Sequence, residues 1–326
     1  MEEHFFEHTP VLLDECIEGL NIKPNGIYVD GTLGGAGHSL HIVEKLKSGK
    51  LIAIDKDETA LSVSKQRLKN FNNVTFVKSD FKNFKNILEN LQIEKVDGIL
   101  LDLGVSSHQI DTPERGFSYR FDGKLDMRMD RASGISAEDV VNNYSESDLS
   151  RIIYTYGEES FARKIAQKIV EERKKQPITT TMQLKQIVED AIPKKFHGQG
   201  SVCKKTFQAI RIEVNSELDG LDVVLKDMAE KLNSGGRLCV ITFHSLEDRI
   251  VKNVFKELST NCVCDKSIPV CVCNHKATVK LVNKKPITAS ASELKQNKRS
   301  SSAKLRIIEK LWLKFLLNTM WFKQKF

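Results

Sequence analysis

The chain has 326 residues, 40% of them hydrophobic and 29% charged, which are the proportions of a soluble globular protein large enough to bury a sizeable core. Its 50 Lys and Arg against 43 Asp and Glu leave a formal charge of +7, fitting either a mildly basic soluble protein or one that meets a polyanion. Seven cysteines do not make a disulfide scaffold at this length, and the acidic, histidine-bearing start lacks the apolar stretch of a secretory signal, so a cytoplasmic protein with reduced thiols is expected.

In chain order, an apolar-periodic helix is predicted over 11–20, ended by Lys23-Pro24-Asn25-Gly26. Strands then alternate with helices: strands near 27–30, 51–55, 74–78 and 96–102, helices near 37–47, 57–70 and 83–91. Short apolar strands separated by amphipathic helices imply a parallel sheet covered on both faces. Residues 103–130 lose that period and are rich in Gly, Ser, Asp and Arg. Helices follow over 136–193, the clearest at 158–175, where Pro177 stops it and Thr179-Thr180-Thr181 offers the next N-cap. A helix over 216–232 and the stop signal Asn233-Ser234-Gly235-Gly236 precede the last predicted strand, 237–243. The expected fold is α/β: a doubly wound, mostly parallel sheet formed by 1–110 and 205–306, with a helical insertion at 111–204. The apolar segment at 311–322 is too short to span a bilayer and carries Lys314. No membrane association is expected.

The chemistry is expected where such sheets bind ligands, beyond the carboxyl ends of the strands. Asp30 ends the first strand and leads into Gly34-Gly35-Ala36-Gly37-His38-Ser39; Asp55 ends the second, Ser79-Asp80-Phe81 the third, and Asp102 the fourth. Glycines let backbone approach a ligand where a Cβ would collide, and a carboxylate about twenty residues on can accept from ribose hydroxyls. The spacing is not G-x-G-x-x-G, because Leu40 stands where the third glycine belongs. An acid ahead of the glycines suits a cationic ligand better than a pyrophosphate, which favours S-adenosylmethionine, a sulfonium, over NAD. His38 reads equally as a helix-capping histidine or as a cofactor contact.

His8-Thr9-Pro10-Val11-Leu12-Leu13-Asp14-Glu15, the glycine loop, Asp102-Leu103-Gly104-Val105-Ser106-Ser107 and Arg115-Gly116-Phe117-Ser118 form a recognisable series. It continues with Asp126-Met127-Arg128-Met129-Asp130, Thr206-Phe207-Gln208-Ala209-Ile210-Arg211, Asn215-Ser216-Glu217-Leu218 and Phe243-His244-Ser245-Leu246-Glu247-Asp248-Arg249. It closes on Arg299-Ser300-Ser301-Ser302-Ala303-Lys304-Leu305-Arg306. In these motifs, which run in order from residue 8 to about 306, the chain resembles the MraW-type family of bacterial 16S ribosomal RNA (cytosine-N4) methyltransferases. The resemblance implies a class I methyltransferase core. It also implies methyl transfer from S-adenosylmethionine to the exocyclic amine of a cytidine in the decoding region of 16S rRNA, within the small ribosomal subunit.

Carried over position by position, the resemblance places cofactor contacts at Ala36, Gly37, His38, Asp55, Phe81, Asp102 and Gln109. Gln109 rests on the resemblance alone, and Asp30 on the strand-end reading alone. The cytosine N4 lone pair is delocalised into the ring, so a site must accept hydrogen bonds from the amine and align it for in-line displacement. Asp102 or a neighbouring backbone carbonyl is the expected acceptor. Many amino-methyltransferases carry Asn/Asp/Ser-Pro-Pro-aromatic here, whereas this chain has Asp102-Leu103-Gly104-Val105, which leaves Asp102 a cofactor role as the alternative. The loop 115–131 reads as a substrate lid through Arg115, Phe117 and Arg128, or as an ordinary polar loop. His244 and Ser245 follow the last strand at the same edge and are substrate candidates, with helix capping the alternative for His244.

Nine Lys/Arg and one acid, Glu293, fall within 276–306, which suits phosphate contact. No metal is needed for the transfer. Cys262, Cys264, Cys271, Cys273 and His275 form a dense cluster, but paired C-x-C departs from the usual C-x2-4-C of structural zinc. Zinc, reduced thiols and redox pairing all stay open there, with Pro269 suiting a hairpin between the pairs. The family pattern ends near Arg306, so 307–326 is a tail with no assigned role. Two rivals stand beside the RNA enzyme: a methyltransferase for a small amine or a protein, and an assembly factor that has lost catalysis.

Overall fold

A computed structural model describes residues 10–197, 201–265 and 270–312. His8, Thr9, Pro269 and most of the expected tail lie outside the described residues. The chain divides into two compact units, Met1–Gly104 with Gly220–Phe326, and Val105–Asp219.

The first unit is a seven-stranded sheet in the order β3-β2-β1-β4-β5-β7-β6. Its strands are β1 (Ile27–Asp30), β2 (Lys50–Asp55), β3 (Val74–Lys78), β4 (Val96–Asp102), β5 (Leu232–Thr242), β6 (Val279–Leu281) and β7 (Lys304–Lys310). The first five pair in parallel, and β7 joins β5 and β6 antiparallel. Strand alternation sends side chains to two separate cores. Val29, Ile52, Ile54, Ile99, Leu101, Leu238, Val240 and Ile308 pack with the helices Phe84–Asn90, Leu221–Glu230 and Ser245–Leu258. Tyr28, Leu51, Ala53, Leu100, Cys239, Ile241, Leu305 and Ile307 face the other way, toward Leu13–Leu20 and Gly37–Val43. This is the doubly wound, mostly parallel sheet that was expected, with an antiparallel edge added by β7. Truncating one such buried Leu or Ile to Ala costs about 2–5 kcal/mol.

Several expectations need correction. Strand character does not return only at 237–243: β5 begins at Leu232 and runs through the glycine pair, with a register shift against β4 between Val96 and Gly98. Gly236 fits because a Cβ there would stand 2.8 Å from the carbonyl oxygen of Asn233 and 3.0 Å from that of Asp97. The basic stretch is itself part of the sheet, since it contains β6 and begins β7. Arg306 forms a two-pronged pair with Asp248 at 2.7 and 3.1 Å, and Lys304 approaches the same carboxylate at 3.4 Å. Residues 307–310 likewise belong to β7 rather than to a tail.

The second unit is helical and wider than the expected 111–204. Residues 205–215, expected in the sheet domain, belong to the helix Lys204–Asn215, whose Phe207, Ala209 and Ile210 are buried with Leu149, Ile152, Ile165 and Leu184 in the second unit's own core. That helix ends at Ser216 in a left-handed conformation (φ 48°), and Gly220 (φ 67°) opens Leu221–Glu230, so the helix predicted over 216–232 is shortened to its later part. The predicted helix at 158–175 is Ala162–Arg173, and Thr180 caps the next, Thr181–Ala191, reciprocally with Gln183. Among the described residues no helix is long and apolar enough to cross a membrane.

Candidate active site

The glycine loop is built by its own flanking acids. Asp30 accepts from the Thr32 amide at 3.1 Å and the Ser39 hydroxyl at 2.7 Å, clamping both ends of the turn. Asp55 accepts from the Gly34 amide and the Asp57 amide, each at 2.8 Å. Ser64 and Arg67 donate to the Gly34 and Gly35 carbonyls, both at 2.8 Å. Gly34 is left-handed (φ 50°), as is Ala36 (φ 58°), which opens Gly37–Val43. A Cβ on Gly35 would meet nothing within 4 Å, whereas one on Gly37 would stand 2.5 Å from the Pro10 ring. Gly35 therefore borders open space, and Gly37 is required by packing.

His38 is buried, with Nε2 3.0 Å from the Val11 carbonyl oxygen. Its Nδ1 stands 3.8 Å from Asp102 Oδ2, beyond hydrogen-bond length. The Asp102 amide donates to Thr32 Oγ1 at 2.6 Å, tying the end of β4 to the loop after β1. Asp102 Oδ1 is buried with no hydrogen-bond partner among the described residues, while 26% of the side chain stays exposed. At the third strand end Asp80 caps a short turn by accepting from the Lys82 amide and lies 3.5 Å from Lys56 Nζ, and Phe81 is half-buried beside Gly31.

The electrostatics single out these carboxylates. Burial raises the carboxyl of Asp30 to about 6 against its two hydrogen bonds, and the charge of Asp55 adds to the rise. Burial also raises Asp55, although two amides partly offset it. Asp102 is pushed up to about 8, first by burial and then by the charges of Asp30 and Glu247. The charges that act on Asp30 and Asp102 are those of other carboxylates. A site of this kind, with clustered buried acids and, among the described residues, an acceptor atom without a hydrogen bond, fits a cationic hydrogen-bonding ligand such as S-adenosylmethionine.

Past β5, His244 is the N-cap of Ser245–Leu258, so the capping alternative is realised. Glu247, which sequence reasoning passed over, is 2% exposed; it accepts from the Phe243 and His244 amides at 2.9 and 3.3 Å and lies 3.1 Å from His244 Nε2. The signal was present, as an acid three residues after an N-cap is a capping-box pattern. Ser245 is exposed at the start of that helix.

The other expected site residues belong to the second unit. Gln109 closes a capping box with Ser106. Arg115 is buried, donates to the Arg128 and Met129 carbonyls at 3.0 and 2.9 Å, and stacks 5.8 Å above the buried Phe117 ring. Arg128 forms a two-pronged pair with the buried Asp126 at 2.7 and 3.2 Å, which holds that carboxyl below its usual range. Arg115 and Phe117 thus brace the loop from inside rather than facing outward. The loop is stitched to the helix Thr181–Ala191 by Gly123 and Thr181, which exchange backbone and hydroxyl bonds at 3.0 and 3.1 Å. The expected free lid is a packed segment.

His275 leaves the cysteine cluster, its Nε2 lying 2.9 Å from the Glu257 carbonyl oxygen. The four cysteines do converge, their sulfurs all within 4.8 Å of one another.

The MraW methylase family profile matches residues 5–311. A "Ribosomal RNA small subunit methyltransferase H 2" of Agathobacter rectalis is 56% identical over 309 residues, covering 94% of this chain and 98% of that protein. A "Ribosomal RNA small subunit methyltransferase H" of Finegoldia magna is 54% identical over 309 residues, covering 94% and 99%. A Streptococcus mutans protein described as a methyltransferase and solved in complex with SAH is 14% identical, with a TM-score of 0.42 over 93% of this chain and 100% of that one.

Proposed function

Since the chain is an S-adenosylmethionine-dependent methyltransferase of the MraW methylase family, we propose that it methylates the exocyclic N4 amine of a cytidine in the decoding region of 16S rRNA. The substrate reading draws on relatives named as small-subunit ribosomal RNA methyltransferases and on the motif resemblance. A cytoplasmic setting with the small ribosomal subunit as partner belongs to the same reading.

The observation that carries the chemistry is Asp102, a strand-end carboxylate with a buried oxygen that nothing described satisfies. Asp55 retains acceptor capacity beyond its two amide bonds and is the residue to hold ribose hydroxyls. Phe81 offers a ring face and the Ala36–Gly37–His38 backbone a close approach. Bound S-adenosylmethionine supplies an electrophilic methyl on a sulfonium. Asp102, when ionised, accepts a hydrogen bond from the amine of the target base, localises its lone pair and takes up the proton lost on methylation. Burial of Asp102 favours that uptake, because it raises the basicity of the carboxylate. Substrate selection is assigned to the helical unit and to exposed lysines of 276–306 such as Lys284 and Lys285.

The test is transfer of labelled methyl groups to undermodified small subunits, with the product nucleoside identified. N4-methylcytidine is expected; 5-methylcytidine, or no label in RNA, would overturn the proposal.

A further inference from the structure

We propose that Cys262, Cys264, Cys271 and Cys273 form a structural zinc site, closed by four thiolates and separate from the methyl-transfer chemistry. The geometry carries it. Cys271 and Cys273 sulfurs are 3.6 Å apart, Cys273 and Cys262 sulfurs 3.9 Å, and all four lie within 4.8 Å of one another. Zinc–sulfur bonds of about 2.3 Å in a tetrahedron require sulfur–sulfur edges of about 3.8 Å. A disulfide would need about 2.05 Å, and all four cysteines are free.

The unusual spacing has a physical reading. In extended backbone, residues i and i+2 point to the same side, so each C-x-C pair presents two sulfurs in one direction. Six residues separate the pairs, enough chain to bring the second pair back against the first. The neck of the segment is closed independently of any metal. Asn261 Oδ1 accepts from the Ala277 amide at 3.1 Å, and the Leu258 carbonyl accepts from the Thr278 amide at 2.9 Å. His275, bonded to the Glu257 carbonyl, belongs to this neck and not to the ligand set. The Val263 amide points at Cys273 Sγ from 3.5 Å, the kind of backbone donor that steadies a metal-bound thiolate.

Without a metal nothing described repays the ordering of this segment. Val263, Val270 and Val272 are 50%, 71% and 70% exposed, so among the described residues of the segment the valines bury no apolar core. An all-thiolate tetrahedral set is chosen by zinc or by iron. Four protein ligands leave no open position, which makes the site structural rather than catalytic. Its place between the helix Ser245–Leu258 and β6 lets it staple the segment that leads into the antiparallel edge of the sheet.

The test uses the full chain, purified under reducing conditions without chelator. Elemental analysis is expected to find about one zinc per chain, falling to near zero in a Cys264→Ser/Cys273→Ser variant. A second measurement needs no variant. In chelator-treated wild-type protein, four thiols should react rapidly with Ellman's reagent, since Cys16, Cys203 and Cys239 are buried. One equivalent of zinc chloride should protect all four. Thiols that stay reactive in excess zinc, disulfides in the native protein, iron in place of zinc, or zinc unchanged in the variant would each overturn the proposal.

Discussion

If Asp102 is the proton acceptor, its ionisation must govern the rate. Its carboxyl sits at about 8, raised by burial and by the charges of Asp30 and Glu247. At pH 7 only about one molecule in ten then carries the charge, and the active fraction changes about tenfold per pH unit below the inflection. The assay is kcat/KM for the cofactor between pH 6 and 9 with small subunits saturating, a parameter that reports ionisations of the cofactor-free enzyme. It should climb with unit slope and level off near pH 8. Asp102→Asn should lower the rate by about 10²–10⁴-fold, the range for losing a general base, and abolish the inflection. Asp30→Asn removes one of the two charges that raise Asp102, so its inflection should move to lower pH while the plateau survives. The cofactor's own amine titrates near 7.7–8.0, which makes the Asn variant the deciding comparison. An inflection unchanged in Asp102→Asn would refute the assignment.

Stability should show the same electrostatics with a definite sign. Asp30 is raised from 3.8 to about 6, so the folded state holds more protons than the unfolded state between those values and loses stability as pH rises through them. The shift corresponds to about 3 kcal/mol; urea midpoints of wild type and Asp30→Asn should diverge as pH rises from 4 to 7, with the variant the more stable at 7. Parallel curves would remove the argument. Gly35→Ala should leave the melting temperature unchanged but weaken cofactor binding about tenfold or more, about 1.4 kcal/mol, because its Cβ enters open space. Gly123→Ala should instead destabilise the helical unit by about 1–3 kcal/mol, since its Cβ would collide with the Pro113 carbonyl oxygen; calorimetry with limited proteolysis separates the two. Asp248→Asn should cost about 3 kcal/mol by stranding Arg306, whose side chain is 11% exposed. A loss below about 1 kcal/mol would mean that the pair does not anchor β7.

The sequence by itself determined whatever is written in local pattern. β1 to β4 were legible because each is a short, largely apolar run with an acid at or just past its end, and the glycine loop because its spacing excludes a pyrophosphate cradle. The Thr180 cap was equally local. What tertiary structure decided depends on partners far along the chain. β7 was hidden because Lys304 and Arg306 stand in a basic run suited to phosphate contact, and Asp248, more than fifty residues earlier, meets them only in the fold. Lys204–Asn215 gave no sequence sign of which core its apolar face would enter. Arg115 and Phe117 looked like a substrate platform, yet burial turned them inward to brace their own loop. Asp102 was visible as a strand-end acid, but its basicity arises only where the fold buries one of its oxygens and sets Asp30 and Glu247 nearby. Four cysteines likewise become a ligand set only once two C-x-C pairs are folded to within a few ångströms. Spacing along the chain fixes what one turn or strand can do, and summed fields and convergent ligands exist only in three dimensions.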